Sequence, residues 1–262
     1  MTSLARTFQN KKIIFLDMDG TIYLGEKLIQ GTEVFLSALK KKGIKYYYLS
    51  NNSSRSKTDY VDKLERLGIQ ASTEDIILST DGVIDFLHSR KIDKTYVVGT
   101  MSMKDMFLQA GIEVDSQNPT YIILGFDTEL NYRKIKTAAL FLQKGIPMLA
   151  THKDLVCPTQ DGPIPDVGAM LALFKKATGK TPEKIFGKPN KEMLDYIIKR
   201  YAVTPDELVI IGDRIYTDME MANRIGCDFI LVLSGETQKA DLPQLKSQPA
   251  LIVDNLSQLL ID

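Results

Sequence analysis

The chain carries the same pattern near both ends: a short apolar run, a turn, and an amphipathic helical stretch leading to another apolar run. Residues 13–16, Ile-Ile-Phe-Leu, lie between lysines and an acidic, glycine-containing turn, as expected of a strand buried on both faces. Residues 32–42 set Val34, Phe35, Ala38 and Leu39 at helical spacing and stop at Gly43, and residues 45–49 read as the next strand. After a serine and asparagine cluster at 50–54 comes a second helical pattern, with Tyr60, Val61, Leu64 and Leu67 ended by Gly68. Toward the other end, residues 208–211 predict a strand, 218–225 a helix and 229–233 a strand. Strands alternating with helices pair in parallel, so both ends are predicted to build one doubly wound α/β body.

Between them, Thr95–Val98, Tyr121–Leu124 and Met148–Ala150 read as strands, with helical patterns at 103–110 and 132–142. This predicts a second, smaller α/β unit. A chain of 262 residues is long for one core. The residues with chemical potential lie outside the middle segment, so the division expected is a discontinuous body, 1–81 and 186–262, with an inserted domain at 82–185.

Composition narrows the partners. Thirty-three basic residues balance thirty-three acidic ones, which excludes the global positive field that draws a protein to nucleic acid or anionic lipid. No apolar run approaches the roughly 18 residues of a membrane span, and the first residues lack a signal peptide's apolar stretch. Cys157 and Cys227 are too few for a disulfide framework. A cytoplasmic protein acting on a small molecule is the expectation.

Four short segments could carry chemistry. Asp17-Met18-Asp19-Gly20-Thr21 follows the first strand, where open α/β sheets bind ligands. Two carboxylates at a sheet rim suggest a hard divalent cation such as Mg²⁺, with Asp17 attacking phosphorus while ligating and Asp19 passing a proton. Taken alone, the same residues also make an ordinary acidic turn. Ser50-Asn51-Asn52 offers neutral donors to phosphate, or a helix cap. Lys188, in Phe186-Gly187-Lys188-Pro189, is a point charge suited to phosphate, or one more solvated lysine. In Gly212-Asp213-Arg214-Ile215-Tyr216-Thr217-Asp218, Asp213 is placed to ligate a metal, and Asp218 to cap a helix or support the metal ligands from behind.

In this order and over nearly the whole length, the four segments resemble those of haloacid dehalogenase-like phosphatases, most closely the NagD-like branch with its large α/β cap. The long stretch separating Ser50 from Lys188 accommodates such a cap. The resemblance implies hydrolysis of small phosphate monoesters, sugar phosphates or nucleoside monophosphates, through a phospho-aspartyl intermediate. It assigns Asp17 as nucleophile and Asp19 as acid and base, with Ser50 and Lys188 on the phosphoryl group and Asn51 close behind. Mg²⁺ would meet Asp17, the main-chain carbonyl of Asp19, and Asp213. A phosphomutase, or a metabolite sensor on the same fold, are the alternatives. The cap would choose the substrate, and a homodimer through it is a further expectation of the resemblance. Gly125-Phe126-Asp127 and the loop 151–168 look like cap counterparts, but His152 stands where the branch usually carries asparagine and Asp166 where glycine is common. His152, Asp127 and Asp166 are open between substrate contact and a packing or loop-holding role.

Overall fold

The computed structural model describes residues 8, 10–159, 161–245 and 247–259. Two compact units divide the chain. The first comprises the residues up to Ser50, Val61–Ile77 and those from Asp195 on; the second comprises Asn51–Tyr60 and Leu78–Leu194.

The first unit is organised by a six-stranded sheet in the order Leu251–Val253, Asp228–Val232, Leu208–Gly212, Ile13–Asp17, Lys45–Ser50, Ile76–Leu78. Ile13–Asp17 lies inside the sheet and all five of its residues are buried, which explains the unbroken apolar run. It pairs in parallel on both sides, Leu16 opposite Ile211 and Asp17 opposite Leu49. Consequently Asp17, Ser50 and Asp213 all stand at the carboxyl-terminal rim of neighbouring strands. Helix Thr32–Lys41 buries Phe35, Leu36 and Leu39, with Glu33 in its first turn and Lys40 and Lys41 in its last, charges that complement its dipole.

One expected element takes a different form. The helix predicted at 218–225 is a π-helical turn, Ile215–Met219, running into a short α-helix, Glu220–Ile225. Within the turn the Met219 N–H donates to the Arg214 carbonyl at 3.2 Å. The wider coil buries Thr217, Asp218 and Met219 in succession, a load that a solvent-facing α-helical turn would not carry.

The second unit has a four-stranded parallel sheet, Lys184–Ile185, Met148–Ala150, Tyr121–Leu124 and Thr95–Val98. Alternate residues face alternate cores. Val98, Leu124 and Ala150 join Phe141, Met170 and Phe174 on one side, while Val97, Ile123 and Leu149 join Val83, Phe107 and Phe186 on the other. Helices Tyr132–Gln143 and Val167–Thr178 serve the first core, and Ser79–Ser89 and Met101–Gln109 the second. Contact groups residues 51–60 and 78–194 in this unit, and Phe186 fills one of its two cores beside Val83 and Leu87. Among the described residues no helix is long and apolar enough to cross a membrane.

Candidate active site

In the first unit the parallel register delivers three buried carboxylates to one place. Asp17 ends its strand, Asp213 follows Gly212, and the π-helical turn swings Asp218 inward. Each offers an oxygen within 4.8 Å of the other two. Asp213 Oδ2 accepts the Glu236 N–H at 2.6 Å, while its buried Oδ1 has no hydrogen-bond partner. Asp218 Oδ2 accepts the Arg214 N–H at 3.2 Å. Burial, then the charges of Asp17 and Asp218, push the Asp213 carboxyl up to about 8.

Asp213 has almost no freedom to relax. A Cβ on Gly20 would come within 2.5 Å of its Oδ2, and one on Gly235 would overlap the same oxygen. Both glycines are therefore required by close approach to a carboxylate. The Ser234 hydroxyl donates to the Gly20 carbonyl at 2.7 Å and the Thr237 N–H to the Asp213 carbonyl at 3.2 Å, stitching the two rim loops together.

Asp19 sits differently. Its side chain is exposed at the rim, yet the protein around it and the negative charge of Asp17 raise its pKa, against the opposing pull of Lys63 and Arg214. Asp19 and Asp213 are thus both biased toward keeping protons. Arg214, which no sequence argument singled out, is the cation built into this cluster. Burial lowers its pKa, but Asp17 and Asp213 raise it further, and it pairs with Glu236 at 3.0 Å. Ser234, Gly235 and Glu236 were also missed; the only available cue was a small-residue turn just after a late strand.

A partnerless buried carboxylate oxygen, two more carboxylates beside it and an all-oxygen donor set fit a hard divalent cation such as Mg²⁺. They do not fit a soft-metal site, which would need thiolate or imidazole.

Asn51 and Lys188 belong to the second unit, and the structure brings them together. The Lys188 N–H donates to Asn51 Oδ1 at 2.7 Å, and Asn51 Nδ2 donates to the Lys188 carbonyl at 3.1 Å. Ser50 is the last residue of its strand in the first unit.

The remaining cap candidates hold structure. Asp127 pairs with Lys134 at 2.8 Å and accepts the Glu129 N–H. Asp166 caps helix Val167–Thr178, accepting the Val167 N–H at 2.6 Å. His152 is fully buried, with Nδ1 3.5 Å from Asp154 Oδ2 and Nε2 3.5 Å from Asp166 Oδ1. A second group, buried His152 and Asp166 with half-buried Asp154, therefore has metal-like spacing.

Comparison with known proteins gives one consistent picture. The profile of a haloacid dehalogenase-like hydrolase family matches residues 14–113, and a second profile of the same kind matches residues 185–259. A crystal structure of a 4-nitrophenylphosphatase from Thermotoga maritima superimposes with a TM-score of 0.93 at 35% identity, covering 99% of this chain and 98% of that one. NagD from E. coli K-12 superimposes at 0.87 with 26% identity, over 96% and 98% of the two chains. An acid sugar phosphatase of Staphylococcus haemolyticus is 29% identical over 95% of each chain.

Proposed function

The chain belongs to the haloacid dehalogenase-like hydrolases, on their NagD-like phosphatase branch, and from that premise we propose that it hydrolyses small phosphorylated metabolites in the cytoplasm through a phospho-aspartyl intermediate. Sugar phosphates and nucleoside monophosphates are the substrate classes, the former supported by the name of the staphylococcal relative. The observation that carries the reading is the buried Asp213 Oδ1 without a partner inside a group of three carboxylates.

A carboxylate oxygen of Asp17 attacks phosphorus and the bond from phosphorus to the ester oxygen breaks, while Asp19 gives its proton to the departing oxygen. Asp19 then takes a proton from water as that water attacks the phospho-aspartate, freeing phosphate and restoring Asp17. The upward direction of its pKa shift, from desolvation by the surrounding protein and then the charge of Asp17, supports the donor role. Ser50 and Lys188 bind the phosphoryl oxygens with Asn51 fixing the lysine. Asp17, the main-chain carbonyl of Asp19, and Asp213 would hold Mg²⁺, which supplies positive charge to offset the oxygens of the transferring group. Asp218 stands behind these ligands, tied to the Arg214 backbone. Residues 1–81 and 186–262 form the catalytic body in this reading, and 82–185 the cap that selects the substrate.

The test is phosphate release from 4-nitrophenyl phosphate and a panel of sugar phosphates and nucleoside monophosphates, with and without Mg²⁺. Metal-dependent release is expected. Tight binding of a metabolite with no turnover under any metal would overturn the reading in favour of a sensor.

A further inference from the structure

The group formed by His152, Asp154 and Asp166 connects onward, through Asp154, to Asn51. The ring turns Nδ1 toward Asp154 and Nε2 toward Asp166, so each carboxylate meets a different nitrogen. His152 Nδ1 accepts the Asp154 N–H at 3.4 Å, while the buried Nε2 makes no hydrogen bond. Asp154 faces onward as well, since its Oδ2 accepts from Asn51 Nδ2 at 3.0 Å.

Resting on the phosphoryl-binding role given to Lys188 above, we propose that Asp154 is a positioning residue for that lysine, acting through Asn51. The loop that carries His152 and Asp154 then serves phosphoryl binding, and not the choice among substrates.

A primary amide has two N–H donors on one atom and an acceptor on the other. Asn51 uses all three on two neighbours: Oδ1 takes the Lys188 N–H, one Nδ2 hydrogen goes to the Lys188 carbonyl, and the other goes to Asp154. An amide turned over would set its NH₂ group against the Lys188 N–H, donor facing donor. Asp154 accepts only, so it fixes which end of Asn51 points where. Through that choice the main-chain groups on both sides of the Lys188 Cα are held.

The surroundings leave this arrangement little slack. The Phe186 N–H donates to the Ala150 carbonyl at 3.1 Å and the Gly187 N–H to the Thr151 carbonyl at 2.5 Å, so the lysine loop runs as an extension of the strand before His152. A Cβ at Gly187 would lie 2.6 Å from Asn51 Oδ1 and 2.8 Å from His152 Cβ. Behind Asp154, its own N–H points to His152 Nδ1 at 3.4 Å, and the far side of the ring meets Asp166. His152 and Asp166, the two departures from the branch pattern, are thus neighbours that back the same carboxylate.

A lysine displaced by an ångström costs up to about 100-fold in rate, and the loss falls on every phosphate monoester alike because all present the same phosphoryl group. For Asp154→Ala the expected result is a drop in kcat/KM of about 10- to 100-fold that is uniform across the panel, with orthophosphate inhibition weakened in parallel. Asp154→Asn, whose Oδ1 can still accept from Asn51, should stay within about threefold of the parent for both readouts. Thermal midpoints of the variants establish folding; if Asp154→Ala does not fold, Asp154→Ser, too short to reach Asn51, takes its place. A changed ranking of substrates with orthophosphate inhibition unchanged would overturn the proposal, as would undiminished activity in the folded variant. Lys188→Met, assayed alongside, tests the underlying role: turnover undisturbed in Lys188→Met would mean that the lysine assignment itself fails, whatever Asp154 does.

Discussion

Each unit of this protein buries a cluster of metal-ligating side chains, and the two clusters solve their charge problem in opposite ways. Around His152, the carboxylates are supplied with donors: the Asn51 amide serves Asp154, the Val167 N–H serves Asp166, and the ring lies between them. Around Asp17, Asp213 keeps one buried oxygen with no donor, and its proton affinity rises through burial first and then through the negative charges of Asp17 and Asp218. Spacing alone does not separate the two clusters. The identity of the unpartnered atom does: each acid beside His152 accepts a hydrogen bond and the buried atom left over is a ring nitrogen, His152 Nε2, whereas at Asp17 it is a carboxylate oxygen, Asp213 Oδ1.

The sharpest way to break this contrast is Asp17→Asn. The amide is a far weaker nucleophile, so kcat on 4-nitrophenyl phosphate should fall by roughly 10⁴-fold or more, with the far-ultraviolet circular dichroism unchanged. Persistence of the parent rate would place the nucleophile elsewhere. Removing divalent cations with a chelator should lower turnover by about 10³-fold, with recovery on adding Mg²⁺; a chelator-indifferent rate would put the two clusters on the same footing.

Stability against pH gives a finer comparison. The folded-state pKa of Asp213, about 8, lies above the usual carboxylate value of 3.8, so folding favours its protonated form. In the metal-free protein the resulting penalty is absent below the unfolded pKa and grows as pH rises from there toward 8. The melting temperature of metal-free protein should therefore drop by about 5 °C more between pH 5 and pH 8 than that of Asp213→Asn. Added Mg²⁺ should remove the difference, and equal slopes for the two proteins would contradict the charge imbalance. The smallest effect concerns the His152 cluster: Asp166→Ala loses a helix cap and should cost about 1 kcal/mol in urea unfolding, by the same amount with or without Mg²⁺. A loss that Mg²⁺ repairs would mean that this cluster binds cations too.

Much of this was legible in the sequence where local pattern and tertiary role coincide. Residues 13–16 read as a doubly buried strand because they are one, and the acids at their end were visible as a rim motif. Helix Val167–Thr178 went unread because its segment, Val-Gly-Ala-Met-Leu-Ala-Leu-Phe, is apolar on several sides, which blurs helical periodicity. The π-helical turn at Ile215–Met219 was beyond reach, since an inserted backbone residue leaves no mark in side-chain pattern. For the site, Asp17 and Asp213 announced themselves by charge after a strand. Arg214 and Gly235 matter through what they stand beside, and Asp154 through an amide far from it in sequence; such relations exist only once the chain is folded.

The register of the central sheet has a consequence in time. Ile13–Asp17 is hydrogen-bonded to Leu208–Gly212, which the ribosome supplies only after nearly two hundred further residues. Until then Asp17 is a solvated acid on an incomplete sheet. The three carboxylates come together only once Leu208–Gly212 and the turn behind it dock beside Ile13–Asp17, and under the proposed function a divalent cation would stabilise that late closure.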